Sequence, residues 1–244
     1  MRARHIPSCG KTIWKRHHLI NSKLNRRAIF AIGAATIAAG VSAPAHAEQG
    51  DDAAIQDAID LIAQIEQDLA GQGTSIDEQL DTLYLAMGEN EVAEPPSVMR
   101  GPSADDILRN AVRAIAASFV ALGYNLSAEL VIHALKRTGG TYTTNYGSRA
   151  KSSPVVKAIK TGRNTSGSRA FLKTSGGSYA ADLYYSIHKF SFSKQSPTGT
   201  TVLIGDTYDF EPQKYEGLQG RVVATIELAQ SRGIIKAFRV RISA

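Results

Sequence analysis

The segment Ile204-Gly205-Asp206-Thr207-Tyr208-Asp209-Phe210-Glu211 gathers the side chains of this sequence best suited to chemistry. In a strand, Asp206, Tyr208 and Phe210 share one face and Asp209 takes the other. If the strand ends at Tyr208, the next turn brings Asp206 and Asp209 together. Carboxylates so gathered hold Mg²⁺ or Ca²⁺, or raise one another's pKa into the range for acid–base work. A tyrosine between them donates to a phosphate or pins a carboxylate. The same residues equally suit a plain strand end, where Asp favours the turn and the aromatic rings fill the core.

Asp206-x-Tyr208-Asp209, following a short hairpin-like region, resembles the catalytic segment of colicin M-type bacteriocins. The resemblance is confined to the C-terminal part of the chain and is closest at those three positions. It implies a toxin-like, metal-dependent hydrolase. Such enzymes cleave the phosphoester linkage of a lipid-linked cell-wall precursor, lipid II, in the periplasm. Asp206, Tyr208 and Asp209 would then be catalytic, and Asp206 and Asp209 would hold the metal, Mg²⁺ or Ca²⁺. Where that family continues to a His-Arg pair, this chain carries Tyr215-Glu216; Arg221 is the nearest arginine and His188 the last histidine. His188 reaches Asp206 if their two strands pair as a hairpin, so His188 and Arg221 complete the catalytic candidates. His133, inside an apolar helical stretch, reads as a packed histidine.

The first 47 residues limit what else is possible. They hold eight Lys or Arg and no acidic residue. Asn25-Arg26-Arg27 precedes an apolar run from Ala28 to about Val41, and Ala45-His46-Ala47 follows as a small-x-small cleavage pattern. This is the layout of an export signal removed near Ala47, either twin-arginine-like or general secretory. The apolar run falls short of the ~20 residues that a spanning helix needs, so no stable transmembrane anchor is expected. Cys9 lies within this leader, as do four of the six histidines. The expected mature chain therefore has no disulfide, no thiolate and no multi-histidine metal site.

The formal charge of +6 belongs to the leader, because the remainder has 20 basic and 22 acidic residues. Those charges are unevenly placed. Residues 48–97 carry 13 acidic and no basic residues, whereas 98–244 carry 20 basic and nine acidic. The sign changes at Pro95-Pro96, where a helix is not expected to continue. Three parts follow: a leader over 1–47, an acidic helical hairpin arm and linker over 48–97, and a basic domain over 98–244.

In the arm, Ile55, Ile59, Ile62, Ile65 and Leu69 recur at helical spacing. Gly71-Gln72-Gly73 breaks that helix, and Ser75-Ile76-Asp77-Glu78 caps a second with Ile76, Leu80, Leu83 and Met87 along one stripe. Stripes this narrow suit packing on each other, on the basic domain, or on another copy. In the basic domain a helix opens at Ser103 and ends at Gly123, burying Leu108, Val112, Ile115, Phe119 and Leu122. Shorter helices follow at Ser127–Arg137 and from Ser153-Pro154 to Ile159. In Ala181–Lys194 the apolar phase shifts between Ile187 and Phe190, through either a bulge or a helical turn before a strand. Thr200–Phe210 reads as a strand and Tyr215–Arg232 as a helix. A last strand alternates Phe238, Val240 and Ile242 with Arg239 and Arg241. Thr161–Ser168 reads as a mobile loop. The expected class is α+β, with an N-terminal helical hairpin followed by helices and a small, mainly antiparallel sheet.

Two similarities carry no chemistry. Ser148-Arg149-Ala150-Lys151 and Lys160-Thr161-Gly162 are similar to penicillin-binding protein motifs, but they lie too close together for that fold. Lys173-Thr174-Ser175-Gly176-Gly177-Ser178 lacks the GxxxxGK[ST] pattern of a nucleotide loop. The basic run Lys151, Lys157, Lys160, Arg163, Arg169 and Lys173 has few interleaved aromatics, which argues against nucleic acid as a partner. The sequence thus leads to a soluble periplasmic or secreted protein. It reads first as a non-catalytic envelope or secreted interaction module, with an anionic envelope component or self-association through the acidic arm as candidate interactions. The phosphoester hydrolase is the alternative.

Overall fold

Capping and alternation, the two sharpest local signals in the sequence, set most of the element boundaries. Helix α1 (Asp51–Gly71) turns through Gly73, held at φ 76°, into α2 (Ile76–Met87). The Ser75 hydroxyl accepts the Glu78 N–H at 3.3 Å, and the Glu78 carboxylate accepts the Ser75 N–H at 2.9 Å. Helix α3 (Ala104–Ala121) starts in the same way, with Ser103 and Asp106 exchanging both bonds. Helix α4 (Asn125–Leu135) follows. A computed structural model describes residues 51–88, 102–136, 139–173, 178–209 and 217–244. The expected leader, the Pro95-Pro96 boundary, Thr174–Gly177 of the anion-loop lookalike and residues 210–216, which include Phe210, Glu211, Tyr215 and Glu216, lie outside the described residues.

The chain then runs through β1 (Thr141–Thr143), α5 (Gly147–Ser152), α6 (Pro154–Thr161), β2 (Ser166–Ala170) and α7 (Ser178–Ser186). It ends with β3 (Lys189–Lys194), β4 (Val202–Tyr208), α8 (Gly217–Ser231) and β5 (Phe238–Ser243). The five strands form one sheet in the order β1-β5-β4-β3-β2. All neighbours are antiparallel except β1 and β5, which run parallel. The fold is therefore α+β, as expected, with a mixed sheet that is mainly antiparallel; the β1–β5 edge pair is the parallel one. β1 is three residues long, too short for alternation to announce it.

Helix α3 is central. Ala114 to Phe119 are all buried, because α1, α2, α4 and α8 pack around it. Small alanines on several faces permit this crowding, and Leu108, Val112, Ile115 and Phe119 are all buried as expected. The acidic hairpin packs on the rest of the chain. Leu61, Ile65, Leu69, Leu80 and Leu83 join one continuous core with Ile204 and Ile242. Its apolar stripe is thus used within the molecule. The buried face of α1 passes through Ala58 and Leu61, leaving Ile59 at 39% exposure, so the stripe lies one residue away from the expected one at this end.

The apolar phase shift before Phe190 is resolved by helix α7, which ends at Ser186 just before β3. Of the expected loop at Thr161–Ser168, residues 162–165 do connect α6 to β2, while Thr161 ends α6 and residues 166–168 start β2. β2 pairs with β3 from Ser166↔Ser193 to Ala170↔Lys189. Its sequence Ser-Gly-Ser-Arg-Ala has no apolar alternation because it is an edge strand with little to bury. Among the described residues, no helix is long and apolar enough to cross a membrane.

Candidate functional site

Strands β3, β4 and β5 have strict inward and outward phases. Phe190 and Phe192, Val202 and Ile204, and Phe238, Val240 and Ile242 face the helices and are buried. The opposite phase faces out, and the register aligns it into rows across the sheet. One row is Thr143–Arg241–Gly205–Ser191–Ser168, crossing all five strands. Beside it runs Thr141–Arg239–Thr207. Together these rows floor an open trough of about 750 Å³.

Gly205 makes the low point of that floor. It has no side chain, while Arg241 and Ser191 stand on either side in the same row. The Ser191 hydroxyl donates to the Gly205 carbonyl at 2.9 Å, which fixes the rotamer of the neighbouring wall. A Cβ at Gly205 would meet Ser191 Oγ at 3.5 Å and the Val240 carbonyl at 3.9 Å, both ordinary contacts. The glycine is therefore not demanded by packing, and its effect is to leave space on the exposed face.

The electrostatics of the trough are one-sided. Lys189, Arg239 and Arg241 stand on the outward phase and line it, while Arg169, paired with Phe190, and Asp206, paired with Val240, share the inward phase and border it. Arg239 and Arg241 are exposed, two residues apart on β5. Among the described residues, neither guanidinium has a hydrogen-bond or ion-pair partner. Arg169 lies over the Phe192 ring at 5.7 Å and donates to the Ser168 carbonyl. Among the described residues, Phe190 is the one aromatic residue lining the trough, and it is buried beneath it. Guanidinium groups, hydroxyls and an open glycine dip form a donor-rich surface for an anion.

The residues singled out by the acidic motif are distributed differently from the expected cluster. Tyr208 is 1% exposed, its ring 5.2 Å from that of Phe238, so it belongs to the core and not to a solvent-facing group with the two aspartates. Asp206 pairs with Val240, is partly buried and borders the trough. Asp209 lies just beyond the end of β4, partly buried. Among the described residues, no three His, Cys, Asp or Glu side chains are placed to hold a metal ion, so Asp206 and Asp209 belong to no such group.

His188 packs against Tyr184 with ring centroids 4.6 Å apart, and burial, aided by Lys189, lowers its pKa. Arg221 projects from α8 to Gln64 of α1 and ties those two helices. His133 is packed between Tyr142 and Phe238, at 4.1 and 4.4 Å, and burial lowers its pKa as well.

A second polar cluster lies behind the β1 edge. The Glu129 carboxyl is pushed up by burial and accepts a hydrogen bond from Tyr142, whose own hydroxyl is pushed up by burial and by that bond. The Arg149 guanidinium lies 4.6 Å from the rings of both Tyr146 and Tyr179. This cluster joins α4, β1, α5 and α7, and the cavity beside Arg149 is small, about 30 Å³.

Sequence reasoning had the Arg239 and Arg241 alternation but not its significance. The available signal was an Arg-x-Arg pair on an amphipathic strand together with a glycine inside the neighbouring strand. No family model, no curated protein and no solved structure matches this chain.

Proposed function

We propose that this protein is a non-catalytic binding module whose open sheet face captures an anionic ligand, in keeping with an exported protein that meets anionic envelope material. The observation that carries this reading is the pair Arg239 and Arg241, held in register beside Gly205 with no partner among the described residues. Buried or surface arginines usually settle on a carboxylate or a carbonyl within the protein; two that do not, on a rigid central strand, are preorganised for an external anion. The hydroxyls of Thr141, Thr207 and Ser191 border the same place and supply neutral donors. The acidic helices pack on the helical side and leave this face exposed, so charge masking by the hairpin does not compete.

The test is binding of tripolyphosphate, a compact multivalent anion, to the full chain by titration calorimetry. Wild type is compared with the Arg239→Gln/Arg241→Gln double variant. The basic residues of the first 47 positions are common to both, so the difference reports on the sheet face. The double variant is expected to bind at least ~10-fold more weakly, since each charge-assisted bond contributes roughly 1.5–3 kcal/mol. Equal binding by the two proteins would remove the proposal.

A further inference from the structure

The anion-binding reading leaves open what shape of anion the trough takes, and the register bears on this. We infer that the trough takes a linear, phosphate-rich polyanion laid across the strands over Gly205, held by Arg239 and Arg241 on one side and by Lys189 on the other. This inference rests on the anion-binding reading above and extends it.

Distance is the first argument. Arg239 and Arg241 lie on β5 and Lys189 on β3, with β4 between them. At about 4.8 Å per strand, β5 and β3 are roughly 10 Å apart. Cations therefore flank Gly205 from both sides, and a chain of linked anions lying across the strands meets both at once.

Gly205 is the second argument. It lies midway between the cationic walls in the row that crosses the whole sheet. Any side chain there would stand in the path from Arg241 to Ser191 and Ser168. The space is otherwise unexplained, because a Cβ at this position meets no close contact.

Shape and donor chemistry are the third. The trough is open, whereas small-molecule sites enclose most of their ligand. An open groove with cations along both sides suits a polymer that passes through it. Its donors are guanidinium, ammonium and hydroxyl groups, and among the described residues its exposed surface bears no aromatic ring. Phosphate, with several acceptor oxygens on each anionic centre, uses such a surface fully. Nucleic acid has the same phosphates, but among the described residues its bases meet no exposed ring here on which to stack.

The experiment uses the full chain and three probes: tripolyphosphate, inorganic polyphosphate of several tens of units, and a single-stranded oligonucleotide of matching charge. It compares wild type with Gly205→Val and Lys189→Gln. Val suits a strand, and thermal melting checks that the variant folds. Wild type is expected to bind polyphosphate at least ~10-fold more tightly than tripolyphosphate per binding site, and more tightly than the oligonucleotide. In Gly205→Val and in Lys189→Gln that gain with length, taken as the ratio of the two affinities, is expected to shrink several-fold. If tripolyphosphate binds through the arginine pair but length adds nothing, or Gly205→Val leaves the gain intact, the polymer inference fails and the anion site stands. If the oligonucleotide binds as well as polyphosphate, the ligand class is wrong. If tripolyphosphate binding ignores the arginine pair, both readings fail together.

Discussion

Asp182 Oδ1 accepts both the backbone N–H and the hydroxyl of Ser127, at 3.0 and 2.8 Å, across 55 residues of sequence. Its second oxygen accepts the Leu126 N–H at 2.9 Å. A side chain of α7 thereby caps the start of α4, whose own preceding residue, Tyr124, makes no side-chain cap bond. Burial raises the Asp182 pKa, and the three bonds act against that rise. Asp182→Ala leaves two buried amides and a hydroxyl unsatisfied, and is expected to cost about 2–4 kcal/mol. Urea unfolding of wild type and variant measures this. A loss below ~1 kcal/mol would mean that water replaces the cap.

Lys194 makes an equivalent tie at the far end of β3. Its buried ammonium donates to the carbonyls of Gly162 at 2.7 Å, Pro197 at 3.0 Å and Lys160 at 3.4 Å. Lys194→Met keeps the length of the side chain and removes all three bonds. The expected loss is about 2–3 kcal/mol, from charged hydrogen bonds and carbonyls left unpaired. Tripolyphosphate binding is expected to stay within about twofold of wild type, because Lys194 points away from the trough; the small free-energy change follows from ordinary additivity between distant sites.

Gly147 opens α5 beneath the end of β5. A Cβ there would collide with the Ser243 carbonyl oxygen, a backbone atom that cannot move aside. Gly147→Ala is expected to destabilise the fold by about 1–3 kcal/mol, the usual range for overpacking. Gly205→Ala, on the open face, is expected to stay within ~0.5–1 kcal/mol of wild type. Thermal melts of the two variants side by side check this contrast.

His133 predicts a pH effect. Burial holds its folded pKa below the ordinary imidazole value of 6.5, and His188 is shifted in the same direction. The unfolded chain thus takes up protons near pH 6.5 while the folded chain does not. The stability held by the neutral imidazoles is complete above 6.5 and is lost as the pH falls below it. The raised carboxyls of Glu129 and Asp182 act oppositely, since the folded chain keeps those protons to higher pH. His133→Phe preserves the ring packing against Tyr142 and Phe238, and is expected to reduce the acid-side loss relative to wild type. Unfolding free energies at pH 5 and pH 7.5 measure the difference; identical pH slopes would show that His133 does not titrate between the two states.

The arginine pair also has a salt signature. Removing one phosphate-contacting cation lowers the slope of log affinity against log salt by roughly 1. Arg241→Gln is expected to do this for polyphosphate, and Lys157→Gln, on α6 outside the trough, is not. Titrations at several salt concentrations check both.

The sequence by itself determined the helices that carry caps, Ser75-Ile76-Asp77-Glu78 and Ser103, because a capping bond closes within three residues and needs no tertiary partner. It also determined the inward and outward phases of β5, because a half-buried strand must alternate. Only the tertiary structure decided what those phases meet. β1 and β2 escape sequence reading because a three-residue edge and a Ser-Gly-Ser-Arg-Ala edge bury too little to leave a pattern. Tyr208 lies between two aspartates in sequence, yet strand geometry sends its ring into the core beside Phe238. The trough exists because the register sets Gly205 between Arg241 and Ser191, residues from three separate strands. Register depends on how whole strands pair, and no local run of residues states it.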